Sequence, residues 1–276
     1  ILRAVGDSRR PLYVLIMTCG LNIFFDIMLV VFLKMGVMGV AIATVSCQGI
    51  SACMVTWILI KGNSLFRLKI REIRFYMASL QSVLRIGIPA ALEATMYTIA
   101  NLIIQIFVNG LGTDTVAAWG TFAKIDAIYW MVVNSFGIAI TTFVGQNYGA
   151  GKIQRMRKSV KVCLLMSYGA AILVSAALYG FAEPLYRLFT TDSNVLLPSY
   201  FMYVVIGILS GALRGAGRVL VPMLLTCGGV CLIRIAWMFG VFPVYSGIKT
   251  IMLSYPVSWG ITAVLFIIYY FKKFPK

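Results

Sequence analysis

The chain predicts an all-α membrane protein, a polytopic helical bundle of two repeated lobes with the first truncated, and three observations carry that prediction. The first is composition. Hydrophobic residues make up 61% of the 276, charged residues only 12%, and mean hydropathy is +0.94, whereas a soluble domain is about a quarter charged. The second is the length of the apolar runs. A helical crossing needs roughly 20 apolar residues, and eight runs are of that order: Pro11 to Leu33, Val37 to Ile60, Ile86 to Val108, Ala117 to Val144, Val160 to Leu178, Val195 to Ala212, Val221 to Val241 and Ile251 to Phe271. Strands of a membrane barrel would be about half as long and would alternate in polarity; these runs do neither. The third is an internal repeat. Leu2-Arg3-Ala4-Val5-Gly6 running on to Pro11, and Leu213-Arg214-Gly215-Ala216-Gly217 running on to Pro222, share the pattern L-R-x-x-G-x-x-x-x-P at a separation of 211 residues, Leu2 to Leu213.

In each copy a basic, glycine-bearing turn feeds a long apolar run, and proline suits that first helical turn because it has no N–H to leave unpaired. One long-range repeat in an apolar chain points to two lobes rather than a solenoid. The first copy stands at the start of the chain, with no Met before it. The sequence therefore reads as a fragment: residues 1–60 hold the last two helices of a first lobe, 61–85 an interlobe linker, and 86–276 a second lobe of six helices. The parent chain would then contribute the missing first-lobe helices as partners.

Taking the spans in order, lysine and arginine fall on alternate sides very unequally. One side carries 19: three in residues 1–10, six in 61–85, five in 152–161, two in 214–218 and three in 272–276. The other carries Lys34, Arg187 and Lys249. The positive-inside rule makes the first side cytoplasmic and the expected location a multi-pass cell membrane, with the lipid bilayer as partner. The net charge of +16 is thus a topology signal, and nucleic acid is not expected. The connection Lys61 to Arg85 mixes Arg67, Lys69, Arg71, Arg74 and Arg85 with Leu65, Phe66, Leu68, Ile70, Ile73, Phe75 and Leu80. It predicts a surface helix at the cytoplasmic leaflet, tethering two lobes. Val195 to Ala212 is short for a crossing, which predicts a thinned or irregular outer end.

All six cysteines lie inside apolar runs, and the chain has no histidine and no C-x-x-C. Buried small hydrophobes are the expectation, with no metal and no cofactor. In Gly145-Gln146-Asn147-Tyr148-Gly149-Ala150-Gly151-Lys152, the glycines suit a helix end and a tight turn. Gln146 and Asn147 can satisfy the last carbonyls. A Walker A loop would require glycine at 146 and Ser or Thr at 153, where the chain has Gln146 and Ile153, so no ATP site is expected.

With Arg85-Ile86-Gly87-Ile88-Pro89 and the two L-R-x-x-G turns (Arg214, Gly217 and Pro222 in the second), this stretch resembles the multidrug and toxic compound extrusion (MATE) family. Leu21-Asn22-Ile23 with Asp26, Gly36 to Thr44, and Tyr255-Pro256-Val257-Ser258-Trp259 extend the resemblance over the whole chain. It implies the last eight of twelve helices, and a secondary antiporter that exports amphiphilic, often cationic organic compounds in exchange for H⁺ or Na⁺.

Ionisable residues within the runs are Asp26, Glu93, Lys124, Asp126 and Arg234. A charge at a helix centre costs about 2.5 to 3.5 kcal/mol on insertion scales, so these should face the bundle interior or a wet cavity. Glu93, Tyr97, Asn101 and Gln105 recur every four residues and form a winding polar stripe suited to a water-filled cavity. Some members of the resembled family use a carboxylate on this helix for cation coupling, about one turn further from the proline, where this chain has Tyr97. Asp26, one turn from Asn22, has two readings: internal hydrogen bonding or a role in the first lobe's cavity. Lys124 and Asp126 do not share a face and are expected near the outer interface. Arg234 is expected to clamp carbonyls or a carboxylate, with substrate contact as the alternative. Rival functions are a lipid-linked glycan flippase of similar architecture, which should show more clustered cations, and a non-transporting scaffold, which would leave the polar stripe unexplained. No nucleophile, base and orienter constellation supports an enzyme.

Overall fold

The computed structural model describes residues 2–62, 67–69, 73, 74, 76–189 and 193–274, with the backbone alone at 5, 121, 122, 125, 178–189 and 193–199. Among the described residues there are eight long helices and no strand. They are α1 (Arg9–Phe32), α2 (Gly36–Ile60), α3 (Met77–Asn109), α4 (Thr113–Gly149), α5 (Ile153–Phe189), α6 (Ser193–Gly215), α7 (Leu220–Gly240) and α8 (Ile248–Lys273). Packing divides the chain into Ile1–Met77 and Ala78–Lys276.

The repeated turn is the same object twice. In the first copy the Gly6 N–H donates to the Arg3 carbonyl and the Asp7 N–H to the Leu2 carbonyl, each at 3.1 Å. In the second the Gly217 N–H donates to the Arg214 carbonyl (3.0 Å) and the Arg218 N–H to the Leu213 carbonyl (2.9 Å). This pair of bonds is the Schellman closure, which needs a left-handed residue. Gly6 (φ 86°) and Gly217 (φ 77°) supply it. The α4 end closes in the same manner through Gly151 (φ 70°), whose N–H donates to the Tyr148 carbonyl while the Lys152 N–H donates to the Asn147 carbonyl.

The first unit is an antiparallel pair, α1 and α2, packed through Val14, Ala43 and Cys47. Just after Asp26, α1 widens into one π-helical segment, Ile27–Phe32. Gly39 of α2 comes close to Leu29 there: a Cβ on it would lie 3.1 Å from that side chain. The expected surface helix at 61–85 is not what forms. Residues 67–69, 73, 74 and 76, Leu68 and Ile73 among them, are irregular, and Met77 to Arg85, with Leu80, is the first part of α3 rather than a separate surface helix. Leu65, Phe66, Ile70, Arg71 and Phe75 lie outside the described residues.

The second unit is centred on α6, which packs on α4, α5 and α8. The α4–α6 contact is made by glycines. A Cβ on Gly215 would stand 2.5 Å from the Thr141 carbonyl oxygen, and one on Gly211 would stand 2.7 Å from that of Gly137. The two backbones touch because neither position carries a side chain, the geometry of small-residue membrane packing. The Thr141 hydroxyl adds a bond across the contact to the Gly211 carbonyl, at 3.0 Å. Gly145, expected to help end α4, instead lies within the helix facing Gly215. The run that looked short, Val195 to Ala212, is the centre of a 23-residue helix. At 1.5 Å per residue that is about 34 Å, enough for a crossing.

Candidate functional site

A cavity of about 440 Å³ opens in the second unit among α3, α4, α6 and α7. Its polar groups include Glu93, Asn134, Thr141, Ser210 and Arg214, and its aromatic wall is Tyr97, Trp130 and Tyr203. Glu93 stands one turn beyond Pro89, which is built into α3. One carboxylate oxygen of Glu93 accepts a hydrogen bond from Arg214 Nη2 at 2.6 Å, closing an ion pair between α3 and the last turn of α6. The Glu93 side chain is 11% exposed and that of Arg214 38%. The other carboxylate oxygen, Oε2, is buried and has no hydrogen-bond partner among the described residues.

The outer half of α3 is held differently. Ile104 and Val108 are buried against Met238 of α7 and Ile251 of α8. The inner half faces the cavity, and the Glu93–Arg214 pair bridges it.

Arg234 lies among the rings behind the aromatic wall, two residues past the π-helical segment Cys227–Leu232 that interrupts α7. It is 1% exposed. Its Nε donates to the Ser258 hydroxyl at 3.0 Å, and its guanidinium lies 3.9 Å from the Tyr255 ring centroid, 5.2 Å from that of Trp259 and 5.9 Å from that of Tyr97. The expected clamp on carbonyls or a carboxylate is thus a hydroxyl and three rings. Cation–π attraction is worth about 2 kcal/mol or more when desolvated, which offsets part of the burial. Nη2 remains buried without a hydrogen-bond partner among the described residues.

Asp126 also turns inward, where the two-residue offset leaves Lys124 exposed. Its carboxylate accepts bonds from the Tyr200 hydroxyl and from Trp130 Nε1 (2.9 Å). Its neighbours are the rings of the bundle rather than an outer interface. Tyr200 and Tyr203 both stack near Trp259, at 5.9 and 5.3 Å between centroids, so Asp126, the rings and Arg234 form one continuous network.

The polar stripe of α3 does not enter the cavity as a whole. Glu93 and Tyr97 line it; Asn101 is exposed, and Gln105 donates to Asn109 Oδ1 at 2.8 Å. Steps of four residues advance the face by about 40° each, so Gln105 points roughly 120° away from Glu93. In the first unit, Asn22 Nδ2 and Asp26 Oδ1 are both buried and without hydrogen-bond partners among the described residues. The Asn147 side chain does not cap α4: its Nδ2 donates to the Phe143 carbonyl one turn back within the helix, at 2.8 Å, and the helix end is closed by backbone bonds, Ala150 N–H to the Gln146 carbonyl and Lys152 N–H to the Asn147 carbonyl. Pro222 lies buried in the first turn of the helical segment Leu220–Thr226.

Sequence reasoning treated Arg214 as part of a turn and missed it as the partner of Glu93, 121 residues away. It also missed Gly207, Gly211 and Gly215, a G-x-x-x-G-x-x-x-G signal that was available.

A family model described as MatE matches residues 89–239. The "Probable multidrug resistance protein NorM" of Thermotoga maritima is 28% identical over 239 residues, covering 82% of this chain and 51% of its own length. The "FAD transporter" of Shewanella oneidensis is 27% identical over 199 residues, covering 71% of this chain and 44% of its own. The chain thus spans about half the length of these curated relatives. Among solved structures, a MOP superfamily transporter from Pyrococcus furiosus aligns with a TM-score of 0.85 at 20% identity, over 97% of this chain and 63% of that one. The Vibrio cholerae MATE transporter VcmN aligns with a TM-score of 0.81 at 20% identity, over 98% and 64%. At such identity these likenesses show the fold alone.

Proposed function

The chain belongs to the MatE family of membrane transporters, and from that premise we propose that it works in secondary antiport. The reading is export of amphiphilic, often cationic organic compounds across the cell membrane, driven by inward H⁺ or Na⁺. The observation that carries it is Glu93: a carboxylate in a membrane cavity, with one oxygen on Arg214 and the other buried and unpartnered. The cavity falls within the roughly 300–1,000 Å³ of drug-sized sites, and its rings suit a flat organic group.

In this mechanism Arg214 and the coupling ion compete for one carboxylate. A proton on Glu93 removes the charge that holds the guanidinium, and a sodium ion occupies the same oxygens. Either loosens the Glu93–Arg214 bridge to the inner half of α3, while the outer half stays packed. Ion binding thereby favours one facing state, and the organic substrate favours the other. Asp26 with Asn22 is the corresponding candidate in the first unit.

Glu93→Gln in the natural full-length protein tests the reading, because it keeps the shape and removes the charge. We expect normal insertion with at least tenfold slower gradient-driven efflux, a scale set by losing about 1.4 kcal/mol of coupling. Proton and sodium gradients imposed separately assign the ion. Wild-type efflux by this variant across a pH series would make Glu93 structural.

A further inference from the structure

A second hollow, of about 460 Å³, runs down the outside of the second unit between α4 and α5, away from the cavity. Its floor is apolar: Phe136, Ile140 and Phe143 from α4, Val162 and Met166 from α5. Its upper rim is cationic, with Arg155 and Lys158 both exposed. We propose that this groove is a binding site for one anionic phospholipid of the cytoplasmic leaflet, its phosphate held by Arg155 and Lys158 and an acyl chain laid along the floor.

The spacing of the residues makes the groove one continuous track. Arg155, Lys158, Ser159, Val162, Cys163 and Met166 follow at intervals of three and one, so they share one face of α5, while Met156 and Val160 on the other face are buried in the core. From Arg155 to Met166 is eleven residues, about 16 Å along the helix. That is about half the ~30 Å hydrocarbon thickness, so a headgroup at Arg155 places its chain over the floor and ends it near the midplane. The two cations stand where lysine and arginine mark the cytoplasmic boundary.

Charge complementarity selects the headgroup. The cytoplasmic stretches of this unit, residues 78–85, 149–161, 213–219 and 272–276, contain no aspartate or glutamate. Neither Arg155 nor Lys158 makes a salt bridge with any of the described residues. Free phosphate would satisfy the rim but leave the apolar floor uncovered. A zwitterionic lipid would cover the floor but bring its own cation to the rim. An anionic phospholipid answers both.

The experiment is lipid retention by purified protein from bilayers of equal phosphatidylglycerol and phosphatidylcholine, read by native mass spectrometry. Wild-type protein should retain phosphatidylglycerol preferentially. In Arg155→Gln/Lys158→Gln that preference should fall roughly 30-fold, about fivefold for each cation. Lys272→Gln/Lys273→Gln removes two charges from the same side of the membrane and should leave the preference intact. Ala139→Trp fills the groove from the α4 wall, where Ala139 is exposed, and should reduce retention of both lipids without changing charge. Absence of a preference in the wild type, an equal fall in the Lys272/Lys273 control, or undiminished retention by Ala139→Trp would each overturn the assignment.

Discussion

The two L-R-x-x-G-x-x-x-x-P turns share a backbone and differ in what their second and third residues meet. Both bury the leucine, with Leu2 at 4% and Leu213 at 0% exposure, and both close on a left-handed glycine. Arg3 is exposed, whereas its counterpart Arg214 holds Glu93 across the cavity. Ala4 is exposed, whereas its counterpart Gly215 lies against the α4 backbone. A local motif therefore fixed the shape of the turn, and the neighbouring helices gave one copy an ion pair and a close packing contact that the other lacks. In the second copy the glycine that allows α6 to approach α4 is adjacent in sequence to the arginine that reaches α3, so packing and ion pairing are joined at one turn.

The largest effect should come from the contact that only the second turn makes. Gly215→Leu places a branched side chain where even a Cβ would lie 2.5 Å from the Thr141 oxygen, so α4 and α6 must separate. Overpacking typically costs about 1–3 kcal/mol and occasionally more; against rigid backbone we expect the upper end. Size-exclusion profiles and melting in detergent would read it as loss of monodisperse protein, with Ala4→Leu close to wild type. Equal behaviour of the two variants would remove the difference between the turns.

Next comes the pair of arginines. Arg214→Gln leaves the Glu93 carboxylate buried without its counter-ion. One-sided removal costs about 3–5 kcal/mol for a fully buried pair, and less here because Arg214 is 38% exposed. Arg3→Gln should stay within about 0.5 kcal/mol, as surface substitutions do. Melting temperatures of the two variants, with Glu93→Gln/Arg214→Gln as the recovered double, separate pairing from general loss of charge. A double variant no more stable than Arg214→Gln would mean that the buried carboxylate is not the source of the effect.

The smallest effect is one that both turns should share. Gly6→Ala and Gly217→Ala each force a Cβ into the left-handed region, at about 1–2 kcal/mol. The two melting shifts should match, since φ is 86° and 77°. A much larger shift at Gly217 would show that the second turn carries strain the first does not.

The spans, the all-helical class, the repeated turns and the family resemblance were legible in the sequence. A bilayer makes each helix satisfy its own backbone over about 20 apolar residues, and that constraint is written locally in hydropathy. The glycine closures are equally local, since a left-handed residue selects glycine wherever it occurs. The site was legible only in part. Glu93 was found because a carboxylate in an apolar run is conspicuous, but the stripe from Glu93 to Gln105 could not reveal where it left the cavity. The helix turns its face by about 40° at each step, and which arc meets water depends on where α4 and α6 stand. Arg214 read as a turn residue, and Gly207, Gly211 and Gly215 said that α6 approaches something without saying what. Tertiary structure alone decided that the glycines meet α4, and that this approach places Arg214 within 2.6 Å of a carboxylate 121 residues away. Contacts between distant helices depend on their crossing and relative rotation, and no local pattern in the chain encodes those.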